Sequence, residues 1–433
     1  MSLATKILKR IRAERTTRFK KLNLPAEFIA PNYAGRSIVN VPASIIQILG
    51  GHIHTPPLDP AITRGLTTGV QRIVLIIADA VGYQRLLDTL DANPQNGFHK
   101  LLQRGANLVP ITSTFPSTTT AALTALWSGY TPAEHGFVGY QIFLRDYGIR
   151  ANMIAFSPAA TDHFGAQQLV NAGLEPEKFL PVPALPQTLE TIGVPVYNLI
   201  EAPYVKSPLS RAQIRGTKEM RGVVTSSDLW VTLRQMLEHH RTERAVFTAY
   251  WSAVDGIAHT YGASAETVPA EINNFGYSFE YEFWRKLSAP ARAGTLFLLC
   301  ADHGQLDSPL ERAIYLHQHP GLWDRLVMDF AGEPRAAYLY CRHGEKDAVR
   351  EYLETQFDEI FCVLDAQTAL AEGLFGTGNI APEVKHRLGD LIVLPRKNYY
   401  LWDRMDEPKM LGRHGGLAET EMLVPLLIAR LDA

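Results

Sequence analysis

Three aspartates and three histidines stand at positions where carboxylate and imidazole chemistry can converge. "DGIAH" sets Asp255 and His259 four residues apart, which puts both on one face if a helix begins there. "ADHG" places Asp302 and His303 side by side directly after an apolar run. "GRHGGL" sets His414 among glycines that let backbone approach closely, and Asp79 closes the run "RIVLIIAD". Carboxylates gathered in one place repel one another unless a cation neutralises them. Mixed carboxylate and imidazole donors are what divalent transition metals take, Zn²⁺ first and Mn²⁺ or Fe²⁺ as alternatives. Singly, each residue has an ordinary reading as a turn aspartate or a structural histidine. Jointly they point to a metal site.

A second stretch asks for a chemical reason. "FPSTTTAALTALWSGYTPAEHG", Phe115 to Gly136, sets Ser117, Thr118, Thr119 and Thr120 in a row before an apolar helix. Helix capping accounts for one hydroxyl, which accepts a free backbone N–H. It does not account for four.

The elements that must position these groups follow from the apolar runs. "RIVLIIADAVG" reads as a buried parallel strand, a loop and then the helix "YQRLLDTL". "RAVFTAYWSAVDG" and "GTLFLLCADHG" repeat the form, so the chain reads as an α/β fold with a mostly parallel sheet. Ligands of such sheets bind beyond the carboxyl ends of the strands, where Asp79, Asp255 and Asp302 all fall. From about 320 to 397 the pattern changes. "RAAYLYCRH" and "IFCVLD" read as strands, "EKDAVREYLETQF" and "AQTALAEGLFG" as helices, together a small α/β insertion before the core resumes with "GDLIVLPRK". Composition and spacing carry the reading this far, to a metal site in an α/β protein.

The ordered set of Asp79 after its strand, "FPSTTT", "DGIAH", "ADHG" and "HGG" resembles the alkaline phosphatase superfamily, and within it the type I phosphodiesterase/nucleotide pyrophosphatase family. The resemblance runs from about Ile73 to Leu427. It implies an alkaline-phosphatase-like core with helices flanking the sheet, spanning 61–433 and carrying the cap-like insertion, with 1–60 as a helical and extended segment packed on it. It also implies a Ser or Thr nucleophile at the helix start. An ungapped overlay puts it at Thr119, with Thr118 or Thr120 as the alternatives. Carried over residue by residue, one metal is held by Asp79, Thr119, Asp302 and His303, and a second by Asp255, His259 and His414. The implied reaction is hydrolysis of a small-molecule phosphoester, a phosphodiester or nucleotide pyrophosphate, by way of a phospho-threonine. A phosphomonoesterase or phosphonate hydrolase with the same centre is the alternative, and a non-catalytic binding protein on this scaffold a more distant one. Two departures from the family pattern stand out. Tyr140 occupies the place, twenty-one residues beyond Thr119, of an Asn that donates to a phosphate oxygen, and "DAVG" replaces a more usual Asp-Gly.

Bulk properties bound the rest. A net charge of −2 over 433 residues offers no global basic field, so nucleic-acid binding is not expected. Cys300, Cys341 and Cys362 have no CxxC spacing, which suits a cytoplasmic location and argues against thiolate metal binding. No run approaches the roughly 20 apolar residues of a membrane span. Lys6 to Lys21 is basic and reads as a terminal helix packing through Ile7 and Ile11, with an anionic membrane surface as the alternative. His52, His54, His135, His317 and His319 read as structural or surface residues, and Arg145 and Arg413 as surface ion-pair partners.

Overall fold

The computed structural model describes residues 2–159, 167–405 and 407–432. Its centre is a seven-stranded sheet in the order Asn107–Thr112, Leu423–Arg430, Thr295–Cys300, Arg72–Ala78, Ala245–Trp251, Val196–Glu201, Glu219–Val223. Leu423–Arg430 runs antiparallel to both of its neighbours and the other pairs are parallel. Every residue of Arg72–Ala78, Ala245–Trp251 and Thr295–Cys300 is buried. Helices cover both faces, so these strands are continuous apolar runs and not alternating ones. Each fully buried Ile, Leu or Val side chain there contributes roughly 1.5–3 kcal/mol of transfer free energy.

Register is what converts these strands into a site. Ile76 lies opposite both Ala249 and Leu299, so the three central strands end level with one another. Asp79 and Asp302 therefore leave the same edge, and the helix Ala253–Tyr261 rises from it with Asp255 in its first turn and His259 in its last.

A second seven-stranded sheet has the order Phe361–Asp365, Leu391–Pro395, Ala336–Leu339, Ala331–Glu333, Gln141–Leu144, Ile149–Asn152, Ser157–Pro158, antiparallel throughout. Two sequence expectations change here. The sheet is wider than the segment 320–397, because it recruits Gln141–Leu144, Ile149–Asn152 and Ser157–Pro158, which follow the helix Thr119–Leu126. "LIVLP" also does not return the chain to the core. Leu391–Pro395 pairs with Phe361–Asp365 and Ala336–Leu339 instead, and the central sheet resumes only at Leu423. An all-apolar strand signals burial on two faces and not which sheet buries it. Leu391 and Val393 pack with Leu316, Leu322, Val349 and Leu353 in a second apolar cluster beneath the helix Lys346–Gln356.

The N-terminal helix Leu3–Thr17 is capped by Ser2, whose hydroxyl accepts the Thr5 N–H, and it buries Ile7 and Ile11. Its cations meet acids of the body: Arg10 with Asp59 and Arg12 with Glu419, each at 2.8 Å. Among the described residues no helix is long and apolar enough to cross a membrane.

Candidate functional site

Asp79, Asp302 and His303 form one group whose ligating atoms lie within 4.8 Å of one another, and Asp255, His259 and His414 form another. In the first, His303 Nε2 stands 3.4 Å from both Asp79 Oδ1 and Asp302 Oδ2. In the second, Asp255 Oδ1 is 3.3 Å from His259 Nε2 and 3.7 Å from His414 Nε2. The groups abut, with the His303 and His414 rings stacked at 3.8 Å between centroids.

Backbone groups aim the imidazoles. His303 Nδ1 lies 3.0 Å from the Gly304 carbonyl, His259 Nδ1 2.8 Å from the Gly412 carbonyl and His414 Nδ1 3.1 Å from the Ser117 carbonyl. A carbonyl only accepts, so each Nδ1 carries the proton and each Nε2 turns a lone pair into the cluster, the tautomer a metal ligand requires. Two glycines allow the close approaches this needs. A Cβ at Gly304 would fall 2.0 Å from the Thr420 carbonyl, and one at Gly415, which takes φ 117, would fall 2.8 Å from Glu333 Cγ.

Asp79 Oδ1, Asp255 Oδ1 and Asp302 Oδ2 are buried oxygens with no hydrogen-bond partner. Leaving such atoms unpaired is costly unless a cation takes them. Burial, and then the charges of Asp302 and Asp255, push the Asp79 carboxyl well above the usual range, and burial raises Asp302 too. Burial, and then repulsion by His303 and His259, hold His414 well below the ordinary imidazole range. Crowded carboxylates, an imidazole at His414 that resists protonation and orphaned oxygens together make a donor set that fits divalent cations.

The hydroxyl row resolves into separate duties. Ser117 donates to the Gly416 carbonyl at 2.7 Å, Thr120 donates to the Gly139 carbonyl at 2.9 Å, and Thr118 is bonded to Glu333. Of the four, Thr119 stands beside the ligand sets, its Oγ1 3.2 Å from His303 Nε2. Thr119 is the first residue of the helix Thr119–Leu126, and Thr118 before it makes no side-chain cap. The residue placed to cap this helix therefore does not do so, and its first-turn N–H groups receive no side-chain cap.

Tyr140 lies close by. Its N–H donates to Glu333 Oε1 at 3.0 Å and its hydroxyl accepts from Asn152 Nδ2 at 2.5 Å. Burial pushes Glu333 up to about 8. Arg413 is not a surface residue: it is 5% exposed, stacked 4.3 Å over Tyr400, and its Nε and Nη2 have no partner. His52, His54, His317 and His319 belong to neither group. His135 is buried outside both and has the opposite tautomer, since its Nδ1 accepts from the Phe137 N–H at 3.1 Å. Tyr250, whose hydroxyl donates to Asp79 Oδ2, went unseen in the sequence, where it is one more apolar residue of a buried strand. Ala80 also contributes at short range. It takes a left-handed φ of 60 and donates its N–H to Asp302 Oδ1 at 3.2 Å.

The sequence matches the family Type I phosphodiesterase / nucleotide pyrophosphatase over residues 73–417. No curated protein matches it. Among solved structures, the fold is similar to murine ectonucleotide pyrophosphatase / phosphodiesterase 5, with TM-score 0.60 at 16% identity over 82% of this chain and 88% of that one. An inactive threonine-to-alanine form of the murine protein in complex with AMP gives TM-score 0.59 at 15% identity, covering 82% and 87%. Phosphonoacetate hydrolase from Sinorhizobium meliloti 1021, in complex with phosphonoformate, gives 0.58 at 18% identity, covering 82% and 89%.

Proposed function

Because this chain belongs to the type I phosphodiesterase / nucleotide pyrophosphatase family and is thus a phosphoric ester hydrolase, we propose that it cleaves a small phosphodiester or nucleotide pyrophosphate through a phospho-threonine on Thr119. The observation that carries this reading is the Thr119 hydroxyl, 3.2 Å from His303 Nε2 at the head of a helix with no side-chain cap. Asp79, Thr119, Asp302 and His303 would hold one divalent cation and Asp255, His259 and His414 a second, with Zn²⁺ as the first choice. When bound, such cations supply Lewis acidity that lowers the hydroxyl's pKa and offsets charge on the phosphoryl oxygens.

The chain's own groups do the rest. First-turn N–H groups of Thr119–Leu126 receive the phosphoryl oxygens, and the positive end of the helix favours their charge. Thr119 Oγ1 gives up its hydroxyl proton to solvent and attacks phosphorus, a new O–P bond forms as the bond to the leaving oxygen breaks, and that oxygen departs to take up a proton from solvent. Water then attacks the phospho-threonine, the Thr119 Oγ1–P bond breaks, and the hydroxyl is restored. Backbone carbonyls of Gly304, Gly412 and Ser117 keep the three imidazoles in one tautomer throughout. The inactive threonine-to-alanine form of the similar murine protein supports a threonine in this role. The likeness to phosphonoacetate hydrolase favours phosphonate hydrolysis as the second reading, with Tyr140 in the place where substrate size would be read. A cytoplasmic location rests on the free state of all three cysteines.

Hydrolysis of bis-p-nitrophenyl phosphate beside p-nitrophenyl phosphate, by protein of quantified metal content, tests the proposal with Thr119→Ala as control. Diester turnover that falls about 10³-fold or more in the variant, with metal retained, is expected. Unchanged turnover would remove Thr119 as nucleophile, and preference for the monoester would move the substrate class.

A further inference from the structure

The edge of the central sheet opposite the ligand sets holds a cavity of about 370 Å³ lined by Lys100, Gln103, Arg104, Glu280, Trp284, Arg285 and Arg292. Its walls carry four cations against one carboxylate, in a chain whose net charge is −2. The strands Asn107–Thr112 and Thr295–Cys300 begin beside it and end at the catalytic edge, so the two regions lie a strand length apart, about 20 Å.

Glu280 neutralises only part of this charge. It is 1% exposed and already paired twice, with Lys100 Nζ at 2.7 Å and Arg285 Nη2 at 2.5 Å. Arg292 spends one nitrogen, Nη2, on the Trp284 carbonyl at 2.7 Å, and its Nε is buried with no partner. Arg104 lies 4.9 Å over the Trp284 ring, a contact that satisfies no N–H, and it has no ion pair among the described residues. Forked guanidinium donors beside an ammonium, with one buried carboxylate fixing their positions, are suited to a tetrahedral oxyanion.

We propose that this cavity is a second anion site, separate from the catalytic centre, that binds a phosphate-bearing ligand through Arg104, Arg292 and Lys100. A site of this size takes a small phosphorylated molecule, with the Arg104–Trp284 stack as its outer wall. The assignment does not depend on the reaction the enzyme catalyses.

Calorimetric titration of inorganic phosphate into the metal-loaded protein, at constant ionic strength, tests it. Wild type is expected to bind at two independent sites. Arg104→Glu, a change on an exposed side chain, is expected to lose one of them, while turnover of bis-p-nitrophenyl phosphate stays within about twofold. A milder variant, Arg104→Gln, should weaken the same site and so guards against a folding defect from the charge reversal. No phosphate binding in wild type, or binding that both variants keep unchanged, overturns the proposal. So does binding to phosphatidic acid vesicles without binding to free phosphate, which would make the patch a membrane contact.

Discussion

The two candidate ligand sets are chemically alike and built differently. Side chains of Asp79, Asp302 and His303 are 2%, 0% and 0% exposed, whereas those of Asp255, His259 and His414 are 18%, 19% and 9% exposed. The inner set leaves two adjacent central strands whose seven- and six-residue spans are wholly buried. The outer set joins a helix to a glycine loop, and that loop is tied down from the second sheet. Arg335 donates in a fork to both oxygens of Glu421 at 2.9 and 2.7 Å, both residues are 0% exposed, and Glu421 also accepts the Gly416 N–H at 3.0 Å. The inner cation would thus be fixed by the core and the outer one by the contact between the two sheets. The difference predicts a permanent cation and an exchangeable one.

The strongest way to break that contrast is to remove one ligand from each set. Asp302→Asn is expected to lose bound metal and more than about 10³-fold in turnover, beyond recovery by added metal. His259→Ala should lower metal affinity and regain part of its turnover when metal is supplied in excess. Equal recovery in both variants would erase the distinction. Next in size is the anchor of the outer loop. Arg335→Met strands a buried carboxylate and should cost about 3–5 kcal/mol, read by chemical denaturation. Arg335→Met with Glu421→Leu should recover much of that loss, and a double variant no better than the single would show that the pair does not act as a unit.

A smaller effect sharpens the inner set. Tyr250→Phe deletes the hydroxyl that donates to Asp79 Oδ2. It should weaken inner-site metal binding about 10–100-fold with little change in fold, measured by competition with a chelator. His135 supplies the control, a buried imidazole outside both sets. Burial depresses it to about 3 from an ordinary 6.5. Below pH 6.5 the unfolded chain takes up a proton that the native state refuses, so this stability is whole above 6.5 and is lost as pH falls. The loss amounts to about 1 kcal/mol at pH 6 and about 2 kcal/mol at pH 5. Denaturation curves of His135→Gln should lack that acid limb, and an identical pH profile in the variant would show that His135 is not its source.

The sequence was most legible where chemistry and periodicity coincided. Apolar runs ending in Asp79 and Asp302 announced strands and their loop groups together, and the Asp255/His259 spacing was that of one helical face. It was least legible where long-range pairing decides. Nothing local in "LIVLP" distinguishes a strand of the second sheet from one of the first, and nothing near Gln141 foretells an antiparallel partner at Gly332. Arg413 was read as a surface residue because Arg usually is one. The aromatic pair of Tyr400 and Trp402 that covers it lies a loop away. Among histidines, residue type could not separate ligands from His135, since the distinction is whether Nδ1 meets a carbonyl or an N–H.

Ala80 carries a consequence for anyone who would engineer this enzyme. An L-residue at φ 60 gives up about 1–2 kcal/mol relative to an ordinary conformation. Glycine would recover that, less the 0.4–1 kcal/mol lost to its greater freedom in the unfolded chain. Ala80→Gly is therefore a conservative candidate for a modest gain in thermal endurance. The methyl group that makes the turn uncomfortable also makes it stiff, so the trade at this one position is shelf life against the precision with which Asp302 is held.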